Sequence, residues 1–121
     1  MNQQQIREGI EQFAGTTAYH RLSPLHGRLV ATDGVAWLCR EANCYWLLDA
    51  IASYQPRALR DPALRDCQFW TLKVKDGKGT LTVERDRDDI AFKQDIEYTD
   101  FPLNEVRIWV ESGVALLPSE H

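Results

Sequence analysis

The chain has 121 residues, which fits a single domain over residues 1–121. Its composition, 44% hydrophobic and 26% charged, is typical of a globular protein that buries a core without disulfides or metals. The net charge is -4, but residues 1–75 carry a net +2 and residues 76–121 a net -6. We therefore expect no direct nucleic-acid binding by the C-terminal half, because its carboxylates would repel phosphates.

The sequence also indicates a compartment. Residues 1–5 are polar and lack the basic and apolar regions of a secretory signal, so we expect none. Asp49 interrupts the longest apolar run, so we expect no membrane span. Three cysteines, Cys39, Cys44 and Cys67, have no spacing of a disulfide framework. Together these features predict a cytoplasmic protein.

Helical spacing dominates the first third of the chain. Ile6, Ile10 and Phe13 form the apolar face of a first amphipathic helix that ends near Gly15. Residues 16–27 contain a Ser-Pro pair and two histidines, which is typical of a loop. A helix followed by a long polar connection is therefore expected before the more apolar segments begin.

Two further helices are expected around the most apolar part of the chain. Asp33 is placed to cap a helix that begins near Val35. The buried face of that helix is predicted to contain Val35, Leu38, Cys39 and Ala42. A third helix over residues 44–54 is apolar nearly all round, so we expect it to be central. Gln55 and Pro56 should end it, because the residue before proline avoids the helical conformation.

From residue 67 the apolar period changes to two, the period of a β-strand. Residues 76–79 (Asp-Gly-Lys-Gly) predict a hairpin turn. The positions expected to share the core face are Trp70, Leu72 and Val74, then Leu81 and Val83, then Ile90, Phe92, Ile96 and Tyr98, and last Val106, Ile108 and Val110. Residues 114–117 are expected to form an exposed edge strand.

The fold class predicted from this order is α+β. N-terminal helices, in about residues 1–66, should pack on one face of a C-terminal antiparallel β-meander of four to five strands, in about residues 67–118.

Most of the chain resembles a family of small bacterial proteins of unknown function. The segments that carry the resemblance are residues 32–54, which begin with Thr-Asp-Gly-Val, Phe101-Pro102 and residues 109–120. The run Tyr-Trp-Leu-Leu-Asp-Ala-Ile-Ala-Ser-Tyr-Gln at residues 45–55 is the most specific part. The family has no assigned activity, so the resemblance implies no catalytic residue. It implies a context, that of stand-alone accessory products often associated with phages and plasmids.

Asp49 is the first candidate for chemistry, because it is a lone acid in an apolar segment. It could act as a general base or metal ligand beside Trp46 and Tyr45. The alternative, which we favour, is a structural carboxylate that pairs with an arginine or with backbone donors of the loop around His20 to Arg28. An enzyme built on Asp49 would need His20 or His26 within hydrogen-bond reach beside a pocket.

Other candidate residues have weaker patterns. Cys39 and Cys44 with His20 and His26 offer zinc-binding atoms, but their spacing favours core packing, so we expect no metal or cofactor. No signature supports Cys67 as a nucleophile. The cluster Tyr19, His20, Arg21, His26 and Arg28 could bind an anion such as phosphate, although a solvated loop is the interpretation we favour.

The acidic C-terminal half offers a surface for a protein partner. The residues expected to contact a partner with a basic surface are Glu84, Asp86, Asp88, Asp89, Asp95, Glu97 and Trp109. These acids could instead be the solvated side of a sheet.

The function we expect is that of a non-enzymatic protein-binding module of a mobile element, for instance an inhibitor of a host defence system such as an anti-CRISPR protein. Two different functions would also fit the sequence. One is an enzyme that uses Asp49 with a loop histidine, and the second is a self-associating homodimer that pairs residues 114–117.

Overall fold

The computed structural model describes residues 2–121, so Met1, the first residue of the expected domain, lies outside the described residues. Its three α-helices are α1 (Gln3–Gln12), α2 (Asp33–Glu41) and α3 (Tyr45–Ala58). A single 3₁₀ turn, Pro24–His26, interrupts the loop between α1 and α2, and another, Pro118–Glu120, follows the last strand. None of the helices in residues 2–121 combines the length and the apolar character needed to cross a membrane.

The sheet confirms the α+β class but has six strands instead of four or five. The strands are β1 (Val30–Ala31), β2 (Cys67–Lys75), β3 (Lys78–Asp86), β4 (Asp89–Ile96), β5 (Glu105–Glu111) and β6 (Val114–Leu116). Their spatial order is β1-β6-β5-β2-β3-β4, and only β1 runs parallel to its neighbour. The sheet is therefore not a simple meander, because β5 returns to pair with β2 on the side away from β3.

The prediction that residues 114–117 form an exposed edge strand is wrong. β6 lies between β1 and β5, and Val30 is in parallel register with Val114. Strand β1 has two residues, too few to show the alternation that identifies a strand. The edges of the sheet are instead β1 and β4.

One face of the sheet packs on the helices. The inward residues of β2, β3 and β5 agree with the predicted alternation, and Trp70, Leu72, Leu81, Val83 and Ile108 are almost fully buried. Two positions in and after β4 depart from it. A β-bulge shifts the register so that Val83 pairs with Phe92 but Glu84 pairs with Ile90, which turns Ile90 outward and leaves it 49% exposed. Tyr98 lies beyond the strand and is exposed.

The helix boundaries differ from the prediction at one cap and at one proline. Thr32, not Asp33, caps α2, because its hydroxyl accepts the backbone N–H of Val35. Helix α3 passes Pro56 and ends at Ala58. Proline removes the helical hydrogen bond to the carbonyl of Ala52 only, and a single turn remains beyond it, so the helix continues.

Candidate functional site

Asp49 lies on the solvent side of α3, not in its core. Its side chain is 59% exposed. Tyr45 and Ser53, one turn away on either side, are also exposed. We expected α3 to be central because it is apolar nearly all round. It packs on the core through Leu47, Leu48, Ile51 and Ala58, but positions four residues apart form a solvent-facing stripe on its opposite face.

Asp49 has a histidine as its partner, neither an arginine nor a backbone amide. The Nε2 atom of His26 lies 2.5 Å from Oδ1 of Asp49. His26 ends the 3₁₀ turn that the loop places against α3, and its side chain is only 2% exposed. Its other ring nitrogen, Nδ1, is buried with no hydrogen-bond partner within residues 2–121. The pair therefore joins an exposed carboxylate to a buried imidazole.

A cavity of about 290 Å³ lies beside this pair, between the loop and α3. Its wall includes His26, Arg28, Leu29, Ala52, Pro56 and Leu59. Gln55 also lines the cavity, and its amide forms a reciprocal pair with the buried amide of Gln68, at 2.8 and 2.9 Å. Most of the wall is thus apolar, and its polar groups converge from the loop and one helix turn.

The convergence of Asp49 with a loop histidine beside a pocket is what the enzymatic hypothesis predicts. A general base, however, needs a ring nitrogen open to substrate or water. Here Nε2 is occupied by Asp49 and Nδ1 is buried. The arrangement fixes the orientation of the imidazole, and no cysteine lines the cavity to act as a nucleophile.

His20, the second loop histidine, belongs to a separate hydrogen-bond network. Its Nε2 lies 2.7 Å from Oδ1 of Asp33, and Oδ2 of Asp33 accepts the N–H and the hydroxyl of Thr17. These hydrogen bonds, with that of His20 the strongest, hold the pKa of Asp33 well below its usual range. Asp33 therefore fastens the loop to the first turn of α2.

The structure does not bring the cysteines and histidines together. Cys39 and Cys44 are buried in the core, as expected for packing. The neighbouring Cys39 thiol, followed by burial, raises the pKa of Cys44 far above its ordinary value. The Cys44 thiol donates to the carbonyl oxygen of Leu38 at 3.7 Å. Within residues 2–121 no group of three His, Cys, Asp or Glu side chains could hold a metal ion.

The basic loop cluster is divided among different partners. Arg21 donates to the carbonyl oxygen of Gly27, and the two histidines face Asp33 and Asp49. Tyr19 is exposed. Arg28 is exposed, lines the cavity and forms no ion pair among the described residues. Arg28 is therefore the member of the predicted anion-binding cluster that combines a free cationic group with a place at the cavity.

The acidic residues form two groups on the sheet instead of one band. Glu84, Asp86, Asp88 and Asp89 lie at the β3–β4 hairpin, and Asp95 and Glu97 lie at the other end of β4. Asp89 and Asp95 are separated by about 20 Å, at roughly 3.3 Å per residue along a strand. Lys93 lies between the groups and faces Thr82 on the outer face.

The hairpin group is continuous with a row of outward side chains that crosses the outer face of the sheet. In register across four strands lie Ile90, Glu84, Phe69 and Trp109. Phe69 and Trp109 meet edge to face at 5.1 Å between ring centres, and Trp109 meets His121 in the same way at 5.2 Å. Phe69 remains 46% exposed. Trp109 therefore lies outward, as predicted, but packed between two rings.

Arg85 anchors the hairpin from the inner side. Its Nε lies 2.6 Å from Oδ2 of Asp61, and its Nη1 lies 3.4 Å from Oδ1 of Asp89. The hydrogen bond from Arg85 lowers the pKa of Asp61, and the same bond raises the pKa of Arg85. Asp86 accepts the backbone N–H of Arg87. Glu84 and Asp88 have no ion-pair partner among the described residues.

The sequence pattern did not single out Phe69, because the alternation was identified by the inward residues Trp70, Leu72 and Val74. Its outward parity follows from the same alternation that places Trp70 and Leu72 inside. The Gln55–Gln68 amide pair was also missed, since its two members lie in different elements. Gln68 accepts the indole N–H of Trp70 at 2.8 Å, which explains a buried glutamine in the core.

Comparison with known proteins gives one kind of match. The model of a family of unknown function, DUF6876, matches residues 4–121. Comparison with the curated proteins gives no match, and neither does comparison with the solved structures. Because the family model covers nearly the whole chain, this protein belongs to the DUF6876 family of unknown function.

Proposed function

We propose that this protein is a non-enzymatic binding module that recognises a basic protein partner with the hairpin end of its outer sheet face. The observation that carries the proposal is the in-register row Ile90, Glu84, Phe69 and Trp109 beside the hairpin acids. Exposed apolar side chains that form a contiguous patch with a charged border are typical of protein-interaction sites. The helices cover the other face of the sheet and leave this one open.

Energy and selectivity come from different parts of this surface. Phe69 and Ile90, about half exposed, provide apolar area that a partner can bury. Trp109 is held by Phe69 and His121, so little side-chain entropy is lost when a partner contacts it. The carboxylates of Glu84 and Asp88 attract a basic partner and repel nucleic acid.

The experiment is capture of partners from a bacterial lysate on the immobilised protein, followed by mass spectrometry. The informative variant carries Glu84→Lys, Asp86→Lys and Asp89→Lys. Asp88 is left unchanged because its φ of 63° favours Asp, Asn or Gly over lysine. The control carries Glu8→Lys, Glu11→Lys and Asp66→Lys, three exposed acids away from the row with the same change in charge.

A basic protein retained by the wild type and the control, but lost from the hairpin variant and from Phe69→Ala, supports the proposal. Retention should also fall as salt is raised, since exposed charges are screened within about 10 Å at 0.1 M. Retention that is equal for all four proteins would contradict it.

A finer form of the proposal concerns the partner's identity. We propose an accessory product of a mobile element that occupies the nucleic-acid-binding surface of a host defence protein, as an anti-CRISPR protein does. What supports this is the resemblance to phage- and plasmid-associated proteins and the carboxylates of the hairpin, which can compete with phosphates. DNA binding by the captured partner should then weaken when the protein is added. Unchanged DNA binding would contradict this form alone.

A further inference from the structure

We propose that the cavity between the loop and α3 binds a small apolar carboxylate, with the anion at Arg28. This site lies away from the outer sheet face and does not depend on the partner proposed above. A volume of about 290 Å³ is close to the lower limit of about 300 to 1,000 Å³ for small-molecule sites. The cavity therefore suits a compact molecule and not a nucleotide.

The wall determines the apolar part of the ligand. Leu29, Ala52, Pro56 and Leu59 supply aliphatic surface, and Leu59 is half exposed although it is large and apolar. A ligand with a ring or a branched chain would cover this surface and remove it from water.

One polar group, the guanidinium of Arg28, determines the charged part of the ligand. Arg28 is exposed and also lines the cavity, which places it at the opening, and it has no acidic partner in residues 2–121. A guanidinium without a partner binds a carboxylate with two parallel hydrogen bonds better than it binds a neutral amide.

His26 is part of the cavity wall but does not hold the anion. Its Nε2 faces the carboxylate of Asp49 at 2.5 Å, and its Nδ1 is buried without a hydrogen-bond partner in residues 2–121. With the ring proton on Nε2 toward Asp49, Nδ1 is an acceptor and offers a carboxylate no N–H. Recognition of the charge therefore depends on Arg28.

The test uses three carboxylates, hexanoate, phenylacetate and indole-3-acetate, each with its neutral amide, in titrations followed by ¹H–¹⁵N correlation spectra. We expect at least one carboxylate to saturate below about 10 mM, in the range of weak small-molecule affinities. The shifting amides should include Gly27, Leu29, Ala52 and Leu59. The matching amide should bind about tenfold more weakly, because it lacks the charge.

Three variants locate the site. Arg28→Gln should weaken carboxylate binding about tenfold and leave amide binding unchanged. Ala52→Leu should fill the cavity and prevent binding of both. Arg40→Gln, which removes an exposed arginine of α2 that does not line the cavity, is the control and should have no effect. Absence of saturation for all three carboxylates would overturn the proposal. So would equal affinity for acid and amide, or shifts centred elsewhere.

Discussion

The carboxylate of Glu120 caps the first turn of α2 by accepting the backbone N–H of Gly34 at 3.1 Å. The same carboxylate accepts the hydroxyl of Thr32 at 2.5 Å and the N–H of Leu117 at 2.9 Å. Thr32 is itself the N-cap of that helix. Glu120 thus supplies an anion to the positive end of a helix whose Gly34 lies 86 residues earlier in the chain.

The first prediction is that Glu120→Gln lowers the free energy of unfolding by about 1 to 2 kcal/mol, as expected for loss of a charged cap. Glu97→Gln, an exposed acid after β4, is the control and should change it by less than about 0.5 kcal/mol. Urea unfolding followed by circular dichroism measures both. Equal effects of the two substitutions would show that the cap contributes nothing specific.

The same contact can be broken from the helix side. A Cβ atom at Gly34 would lie 2.6 Å from Oε1 of Glu120, so Gly34→Ala must displace the carboxylate. We expect Gly34→Ala to destabilise the protein although alanine favours helices more than glycine. In a protein that already carries Glu120→Gln, Gly34→Ala should lower the free energy of unfolding by less than it does in the wild type, because the displaced side chain no longer carries the charge.

Long-range contacts of this kind could not be predicted from the sequence, whereas the local periods could. Alternation identified the inward positions of β2, β3 and β5 because one face of the sheet is buried and the other is not. It failed at Ile90, where a bulge moves a residue to the opposite face without any local signal in the sequence.

The candidate site was predicted in its residues but not in its environment. Asp49 was expected to be buried, yet Tyr45, Asp49 and Ser53 recur every four residues and so indicate a solvent-facing stripe. Asp49 contacts His26 and not His20. This choice depends on the path of the loop, which hydrophobic periodicity cannot predict. The cavity also depends on the path of the loop, because it lies between the loop and α3.

The second prediction concerns the packing of α1 on α2. Trp37 lies over Gly9, and a Cβ at residue 9 would lie 2.2 Å from its ring, which Phe13 also contacts. We expect Gly9→Ala to destabilise the protein by about 1 to 3 kcal/mol, the usual cost of overpacking. Gly15→Ala, where no atom lies within 4 Å, is the matched control. Thermal unfolding measures both, and a stabilising Gly9→Ala would contradict the packing.

The third prediction follows from Asp33, whose pKa is lowered by His20 and Thr17 from an ordinary value of 3.8. A carboxyl with a lowered pKa stabilises the folded state above its unfolded pKa, and that contribution is lost as pH falls below it. Asp33→Asn should therefore be less stable than the wild type at pH 7, and the difference should shrink below about pH 4. Asp66→Asn is the control, and unfolding midpoints at pH 7 and pH 3 are the measurement. A difference that stays constant with pH would contradict the role of the charge.

The fourth prediction concerns the thiol of Cys67, which faces Glu111 across the β2–β5 pair with Sγ 3.8 Å from Oε1. Burial and then the neighbouring carboxylate raise the pKa of Cys67, and because the thiolate is the reactive form, the thiol should react slowly with Ellman's reagent at pH 8. Glu111→Gln should accelerate the reaction about two- to fivefold, since a neutral amide stabilises the thiol form less.

Glu105→Gln is the matched control for this change, because Glu105 lies on the same strand and the same face but faces Lys73. It lies about 20 Å from Cys67 along the sheet, beyond the screening length of about 10 Å. Cys39 and Cys44 are buried and should react only after unfolding. If Glu111→Gln left the reaction rate unchanged while Cys67 still reacted slowly, burial alone would protect the thiol. The outer face at Trp109 and Glu111 would then be less open than the exposure of Phe69 implies.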